Sequence, residues 1–305
     1  MNTSVNDDTN FRRRVVFGFL GLVLTAALCL IYGFFVEPNR LVLNSVSIDP
    51  AGLEKGLDGL RIVAISDLHG GSNFIDEAKL RDITKRVNEQ NPDLIVILGD
   101  FVSQARSGRP VRRRPLKMSM QTIADSIKGL RAKYGVFAVE GNHDYWFNSK
   151  IVFKELERVG IRVLHDQLTE VDVNGTRLTL LGLRDHMSVR SGKNYNTTIK
   201  EVVSDVDSDL IVLTHSPDFI PYLTGPNSIS DKTRLFIAGH THGGQVWLPL
   251  IGSPMIPSNY GQTFAAGHLE YNNTDVFVTT GIGTSIMPVR FLVPPEIAVI
   301  TLGSG

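Results

Sequence analysis

Short apolar runs rich in β-branched residues recur along this chain, and a side chain able to bind a metal follows most of them. The runs occupy 61–66, 94–98, 135–139, 178–182, 210–214, 235–238, 275–280 and 296–301. Each has the length of a buried strand and is too short for a buried helix. Between the first of them, 77–90 and 121–132 place apolar residues at helical spacing. Such alternation predicts an α/β domain with central sheets covered by helices. Residues 42–48 alternate in polarity and read as an early edge strand. Neither an internal repeat nor a low-complexity linker interrupts 37–305, which reads as one domain.

The residues that end the runs are chemically selective. Asp67 and His69 follow the first run; two apart on an extended segment, they point the same way and can reach one ion. Asp100 follows Gly99, where glycine permits a tight turn. Gly141-Asn142-His143-Asp144 comes after the run at 135–139, His215 after 210–214, and Gly239-His240-Thr241-His242-Gly243-Gly244 after 235–238. Open α/β sheets hold their ligand crevice at the carboxyl ends of strands, where all these motifs fall. Singly, Asp-x-His or Gly-Asp recurs by chance. Their ordered recurrence after successive strands predicts a shared metal centre.

Composition narrows the partners. The chain has 305 residues, with 31 Lys+Arg against 31 Asp+Glu, so its net charge is zero and no nucleic-acid partner is expected. A single cysteine excludes an intramolecular disulfide and a cysteine-based zinc module. Val15 to Val36 reads VVFGFLGLVLTAALCLIYGFFV, without a charge. As a helix it spans roughly 33 Å, enough to cross a hydrocarbon core of about 30 Å. Tyr32, Phe34 and Phe35 stand where a cleavable signal peptide would need small residues, which favours a retained anchor. Cys29, inside this segment, reads as a small apolar residue facing lipid. Arg12, Arg13 and Arg14 precede the segment, so the positive-inside rule places the N-terminus in the cytoplasm. The expected arrangement is a cytoplasmic tail at 1–14, a single-pass anchor at 15–36 in an inner membrane, and the remaining domain, 37–305, on the outer face.

The ordered motifs resemble the signature of the calcineurin-like metallophosphoesterase superfamily, Asp-x-His, Gly-Asp, Gly-Asn-His-Asp/Glu, His and Gly-His-x-His, over roughly residues 60–302. GHTHGGQ at 239–245, with Gly281-Ile282-Gly283-Thr284 and the segment Arg290 to Ile297, is similar to a membrane-linked bacterial branch. That branch includes phosphodiesterases and relatives proposed to act on phospholipid or UDP-lipid substrates. The resemblance implies a four-layer αββα sandwich. It also implies one divalent ion held by Asp67, His69, Asp100 and His242, and another held by Asp100, Asn142, His215 and His240, with Asp100 bridging. Mixed nitrogen and oxygen ligands suit manganese, iron or zinc better than calcium or magnesium. The chemistry implied is in-line attack on phosphorus by a hydroxide shared between the ions. His143 would protonate the leaving oxygen, with Asp144 fixing its tautomer.

The activity implied is hydrolysis of a phosphodiester or pyrophosphate bond, in a substrate linked to lipid or to the envelope. Two alternatives stand beside it. A UDP-2,3-diacylglucosamine pyrophosphatase of lipid A synthesis would need a cytoplasmic active site. A catalytically inactive, metal-stabilised scaffold would be expected to lack ligands or His143. The run from Arg106 to Lys117 holds six basic residues and no acidic one, with Pro110 and Pro115, and reads as an exposed loop. It is either an ordinary solvated loop or a clamp in which Arg112, Arg113 and Arg114 meet an anionic headgroup. Arg290 is open to a phosphate contact or to a packing role. His165 and His186 read as surface or turn residues and His268 as structural, while Trp247 and Leu248 line either a lipid-accepting groove or the core.

Overall fold

The computed structural model describes residues 3–103, 116–285 and 287–303. Helix α1 runs over Thr3–Ile31, passes through a wide turn at Tyr32–Val36, and stops beyond Pro38, whose ring cannot continue a helix. Over Phe11–Asn39 it is long and apolar enough to cross a membrane; its most apolar part is free of the rest of the chain, and Gly33, Glu37 and Pro38 at its end are buried.

Two six-stranded sheets follow. The first has the order β1 (Val42–Ile48), β12 (Glu296–Leu302), β2 (Arg61–Ile65), β3 (Leu94–Ile97), β4 (Val136–Ala138) and β5 (Arg162–Val163). The second has the order β10 (Gly267–Tyr271), β11 (Thr274–Val278), β9 (Thr233–Ala238), β8 (Asp209–Thr214), β7 (Thr176–Gly182) and β6 (Gln167–Val173). Neighbouring strands β2, β3, β4 and β5 are parallel, as are β7, β8, β9 and β11, and β12 runs antiparallel to β2.

Strand periodicity builds the layers. In β2, Ile62 and Ala64 face the space between the sheets, while Val63 and Ile65 face outward. In β8, Ile211 and Leu213 point inward and Leu210 and Val212 outward. The outer face of the first sheet is covered by α2 (Glu77–Asn88), α3 (Met120–Ile127) and α5 (Ser149–Arg158), through residues such as Leu80, Ile123 and Leu156. The second sheet is covered by α6 (Gly192–Val202) and α7 (Ile220–Leu223), through Tyr195, Ile199 and Leu223. The result is the expected four-layer αββα sandwich. Helix starts are locally encoded: Asp76 accepts the Lys79 amide at 2.8 Å, and Ser119 accepts that of Thr122 at 3.0 Å.

The expected edge strand at 42–48 is β1, and the expected helices at 77–90 and 121–132 are α2 and α3, the latter ending before Gly129. Strands β6 and β10 carry no continuous apolar run; both are edge strands, and β6 alternates buried with exposed residues.

Candidate metal centre

The parallel strands deliver their C-terminal ends to one edge of the sandwich, and there the chain departs from ordinary backbone. Asp67, His69, Asp100, His240 and His242 all have positive φ, between 45° and 71°. Non-glycine residues seldom adopt this region, and each such residue costs about 1–3 kcal/mol unless its surroundings enforce it. Here close backbone approach does so. A Cβ on Gly99 would lie 2.5 Å from the Gly141 amide nitrogen, and one on Gly141 would lie 2.2 Å from Asp100 Oδ1. The Asp67 amide donates to Gly99 O at 3.0 Å and the His69 amide to Asp100 O at 2.9 Å, stitching the loops after β2 and β3 together.

The side chains converge around Asp100. Its Oδ2 lies 3.6 Å from His69 Nε2, 3.4 Å from His215 Nε2 and 3.9 Å from His143 Nε2. On one side, His242 Nε2 is 3.2 Å from His69 Nε2 and 3.3 Å from Asp67 Oδ1. On the other, His215 Nε2 is 3.1 Å from both Asn142 Oδ1 and His240 Nδ1. His69 Nδ1 faces Val102 O at 3.2 Å, and His215 Nδ1 faces Leu98 O at 2.6 Å. A carbonyl oxygen can only accept, so each ring carries a proton on Nδ1 and Nε2 is the atom turned into the site. Lone pairs facing lone pairs repel, and buried Asp67 Oδ1 has no hydrogen-bond partner among the described residues. A donor set of this kind fits divalent cations.

The electrostatics agree. Burial opposes ionisation of Asp100, but His215, His143 and His69 outweigh it and hold its carboxyl well below the usual carboxylate range. Asp67 is likewise lowered against burial, by His242, His215 and His69. Burial, followed by the proximity of His215 and His186, pushes His240 down to about 4, and burial pushes His242 down to about 3. Anionic carboxylates beside neutral imidazoles are the protonation states that metal ligation requires; His215 departs from them, raised well above its ordinary value by Asp100 against burial.

Asp144 corrects one expectation. It does not touch His143. As the third residue of α4 (Asn142–Phe147), it reaches back to the Gly141 amide at 3.1 Å and across to those of Asp100, Phe101 and Val102 at 2.8, 3.0 and 3.2 Å. Successive residues on a helix diverge by about 100°, so sequence neighbours there do not share a direction. His143 Nδ1 has no hydrogen-bond partner among the described residues, and its ring packs on Trp146 at 5.1 Å.

Arg290 is likewise turned away from the cleft. Fully buried, it donates to the carbonyls of Gly283, Val293, Thr280 and Gly281, and its Nη2 lies 3.4 Å from His242 Nδ1. Of the two roles left open for Arg290, packing matches these contacts. Arg112, Arg113 and Arg114 lie outside the described residues. His165 stands 3.7 Å from Glu140 Oε2, and His268 pairs with Asp275 at 2.6 Å on an exposed strand edge.

His186, read from the sequence as a surface or turn residue, does lie in a short turn, His186–Ser188, but beside the centre. Its Nδ1 lies 3.1 Å from buried Asp185, and its ring meets that of His240 edge-on at 5.1 Å. The signal was present, since Asp185 follows a strand end as the ligand motifs do. Gln245 was missed as a brace. Its amide nitrogen donates to Met287 O and Val289 O at 2.7 and 2.8 Å, and its carbonyl accepts the Ser285 amide. The centre opens into a cavity of about 800 Å³ whose wall includes His143, Trp146, Phe74, Met255 and Met287.

Comparison with known proteins agrees with this geometry. The family model described as calcineurin-like phosphoesterase matches residues 60–244. The uncharacterized metallophosphoesterase YkuE of Bacillus subtilis (strain 168) is 29% identical, over 96% of this chain and 98% of its own. Phosphodiesterase YaeI of Escherichia coli (strain K12) is 26% identical, over 79% of this chain and 82% of its own. A transmembrane protein with metallophosphoesterase domain from Danio rerio is 29% identical, over 96% of this chain and 63% of its own. With a family match across more than half its length and histidine–aspartate clusters at the strand ends, the chain belongs to the calcineurin-like phosphoesterase family and is a metal-dependent phosphoester hydrolase.

Proposed function

We propose that the protein is a membrane-anchored phosphoesterase that uses two divalent ions to hydrolyse a phosphodiester or pyrophosphate bond in a lipid-linked or envelope substrate. The observation that carries this reading is the central place of Asp100, within 3.4–3.6 Å of imidazoles from both clusters. One ion would be held by Asp67, His69, Asp100 and His242, the other by Asp100, Asn142, His215 and His240. Manganese, iron and zinc suit this set. When bound, the ions supply Lewis acidity and neutralise charge on the phosphoryl group.

The chain supplies the rest. Left-handed backbone at the ligands and the amide bonds of Asp144 fix the donors before substrate arrives. His143, on the cavity wall, is the group to deliver a proton from Nε2 to the leaving oxygen. Burial pushes its imidazole down to about 4, and an anionic substrate beside it acts in the opposite direction. The apolar N-terminal helix and the Danio rerio relative named as a transmembrane protein support anchoring.

The test is turnover of bis-p-nitrophenyl phosphate with added manganese, alongside elemental analysis. Two ions per chain and turnover are expected. Full metal loading without turnover would favour the scaffold reading, and fewer than two ions at saturation would end the dinuclear one. A topology reporter fused after Gly305 is expected to report the outer face. A cytoplasmic signal would favour the UDP-2,3-diacylglucosamine pyrophosphatase.

A further inference from the structure

Residues 246–257 read VWLPLIGSPMIP, without a charge. Trp247, Leu250, Ile251 and Met255 are exposed, Leu250 fully. Leu250 also has φ of 71°, in a turn closed by mutual bonds of 2.9 Å between the amides and carbonyls of Leu248 and Gly252. Left-handed turn positions favour Gly, Asn or Asp, and a bulky apolar side chain held there in water is disfavoured on both counts.

The root of this turn is fastened to the end of the apolar helix. The Trp247 amide donates to Phe291 O at 2.9 Å, the Arg290 amide to Gly33 O at 2.9 Å, and the Leu292 amide to Glu37 Oε2 at 2.9 Å. The rings of Tyr32 and Phe291 meet edge to face at 6.1 Å. Across the cavity mouth, Phe74 meets Phe34 at 6.1 Å and Phe35 at 6.4 Å. Exposed apolar surface thus continues from the lipid-spanning helix to the cavity that holds the metal ligands.

We propose that the 246–252 turn is a membrane-contacting lip. It seats in the headgroup–acyl boundary of the bilayer that α1 enters, so that the cavity receives the phosphoester of a lipid still embedded in that bilayer. This rests on the phosphoesterase reading and names its substrate class. A tryptophan at the base and two aliphatic residues at an uncharged tip match an interfacial wedge, whose binding scales with buried apolar area. Continuity with the anchor selects a bilayer over a protein as the occupant.

The test uses the full chain in phosphatidylcholine–phosphatidylglycerol vesicles with brominated acyl chains. The chain has two tryptophans, so Trp146→Phe leaves Trp247 as the reporter. Its emission should be quenched by bromine near the headgroups, and less by bromine near the chain ends. In the otherwise natural chain, Leu250→Asp with Ile251→Asp should lower kcat/KM on a vesicle-embedded lipid phosphoester at least about tenfold, leaving that on bis-p-nitrophenyl phosphate within about twofold. Emission unchanged by bromine at either depth overturns the lip; a cross-linked dimer through Leu250→Cys would then assign the patch to a second copy. Quenching with equal losses on both substrates, or no loss on the lipid, overturns the substrate class. Failure of the unaltered chain on bis-p-nitrophenyl phosphate would instead reject the phosphoesterase reading, and the quenching result would stand apart from it.

Discussion

His143 and Asp144 are adjacent in sequence and act in different directions. His143 looks into the cavity beside Asp100 but belongs to neither ligand cluster of the proposal, so it can be lost without loss of an ion. Replacing His143 with Gln should lower kcat by about 10²–10⁴ while metal content, read by elemental analysis, stays near wild type. Asp144 instead gathers four backbone amides from two loops, at 2.8–3.2 Å. Asp144→Asn would set an amide group against buried N–H donors. It should destabilise the fold by about 2–4 kcal/mol in denaturant titrations and weaken metal binding through displacement of Asp100. Motif spacing made the ligand candidates legible, because each stands directly after a β run. It could not tell which way Asp144 turns, since that depends on where α4 starts and on amides contributed by a distant loop. The place of His186 beside the centre was hidden for a related reason: only the approach of β7 to β9 across β8 brings it to His240.

At the scale of elements, the strands recognised beforehand are the continuous apolar runs and the edge strand β1, whose regular alternation marks it. Those that were not recognised, β6 and β10, are half-exposed and take their strand identity from a neighbour rather than from their own composition. The segment between β11 and β12 was equally opaque. Among its described residues it forms only the isolated bridge of Phe291 to Val246, and it is held by Arg290, whose guanidinium reaches the carbonyls of Thr280, Gly281, Gly283 and Val293. Gly281 and Gly283 in turn pack against Asp67, and the Gly283 amide donates to Asp67 O at 2.7 Å. Arg290 is therefore a brace that touches the ligand His242 directly and reaches Asp67 through Gly281 and Gly283. Lysine has three donors on one flexible point and cannot span four carbonyls. Arg290→Lys should cost about 2–4 kcal/mol in stability, and metal affinity measured by titration should fall with it.

Across the whole molecule, the centre is where the fold concentrates unfavourable terms: left-handed backbone, buried carboxylates and imidazoles held neutral. Burial pushes His143 and His240 down to about 4 and His242 to about 3. The unfolded chain binds protons at these residues near pH 6.5, and the folded chain only well below that. Stability contributed by their neutrality is complete above about pH 6.5 and is lost as pH falls toward 4. His215 runs the other way, since Asp100 raises it above its ordinary value against burial, and it offsets one of the three. Metal binding requires the same neutral rings and so shares this pH dependence. A chelator-treated protein should therefore melt at a lower temperature than the manganese-loaded one at pH 7, by an amount corresponding to about 2.7 kcal/mol when free metal stands at a hundred times its Kd. The gap should close as pH falls toward 5, because protons then compete for the ligands. A melting temperature indifferent to metal at pH 7 would show that the clustered donors are not a cation site, since a ligand that binds only the folded state must stabilise it.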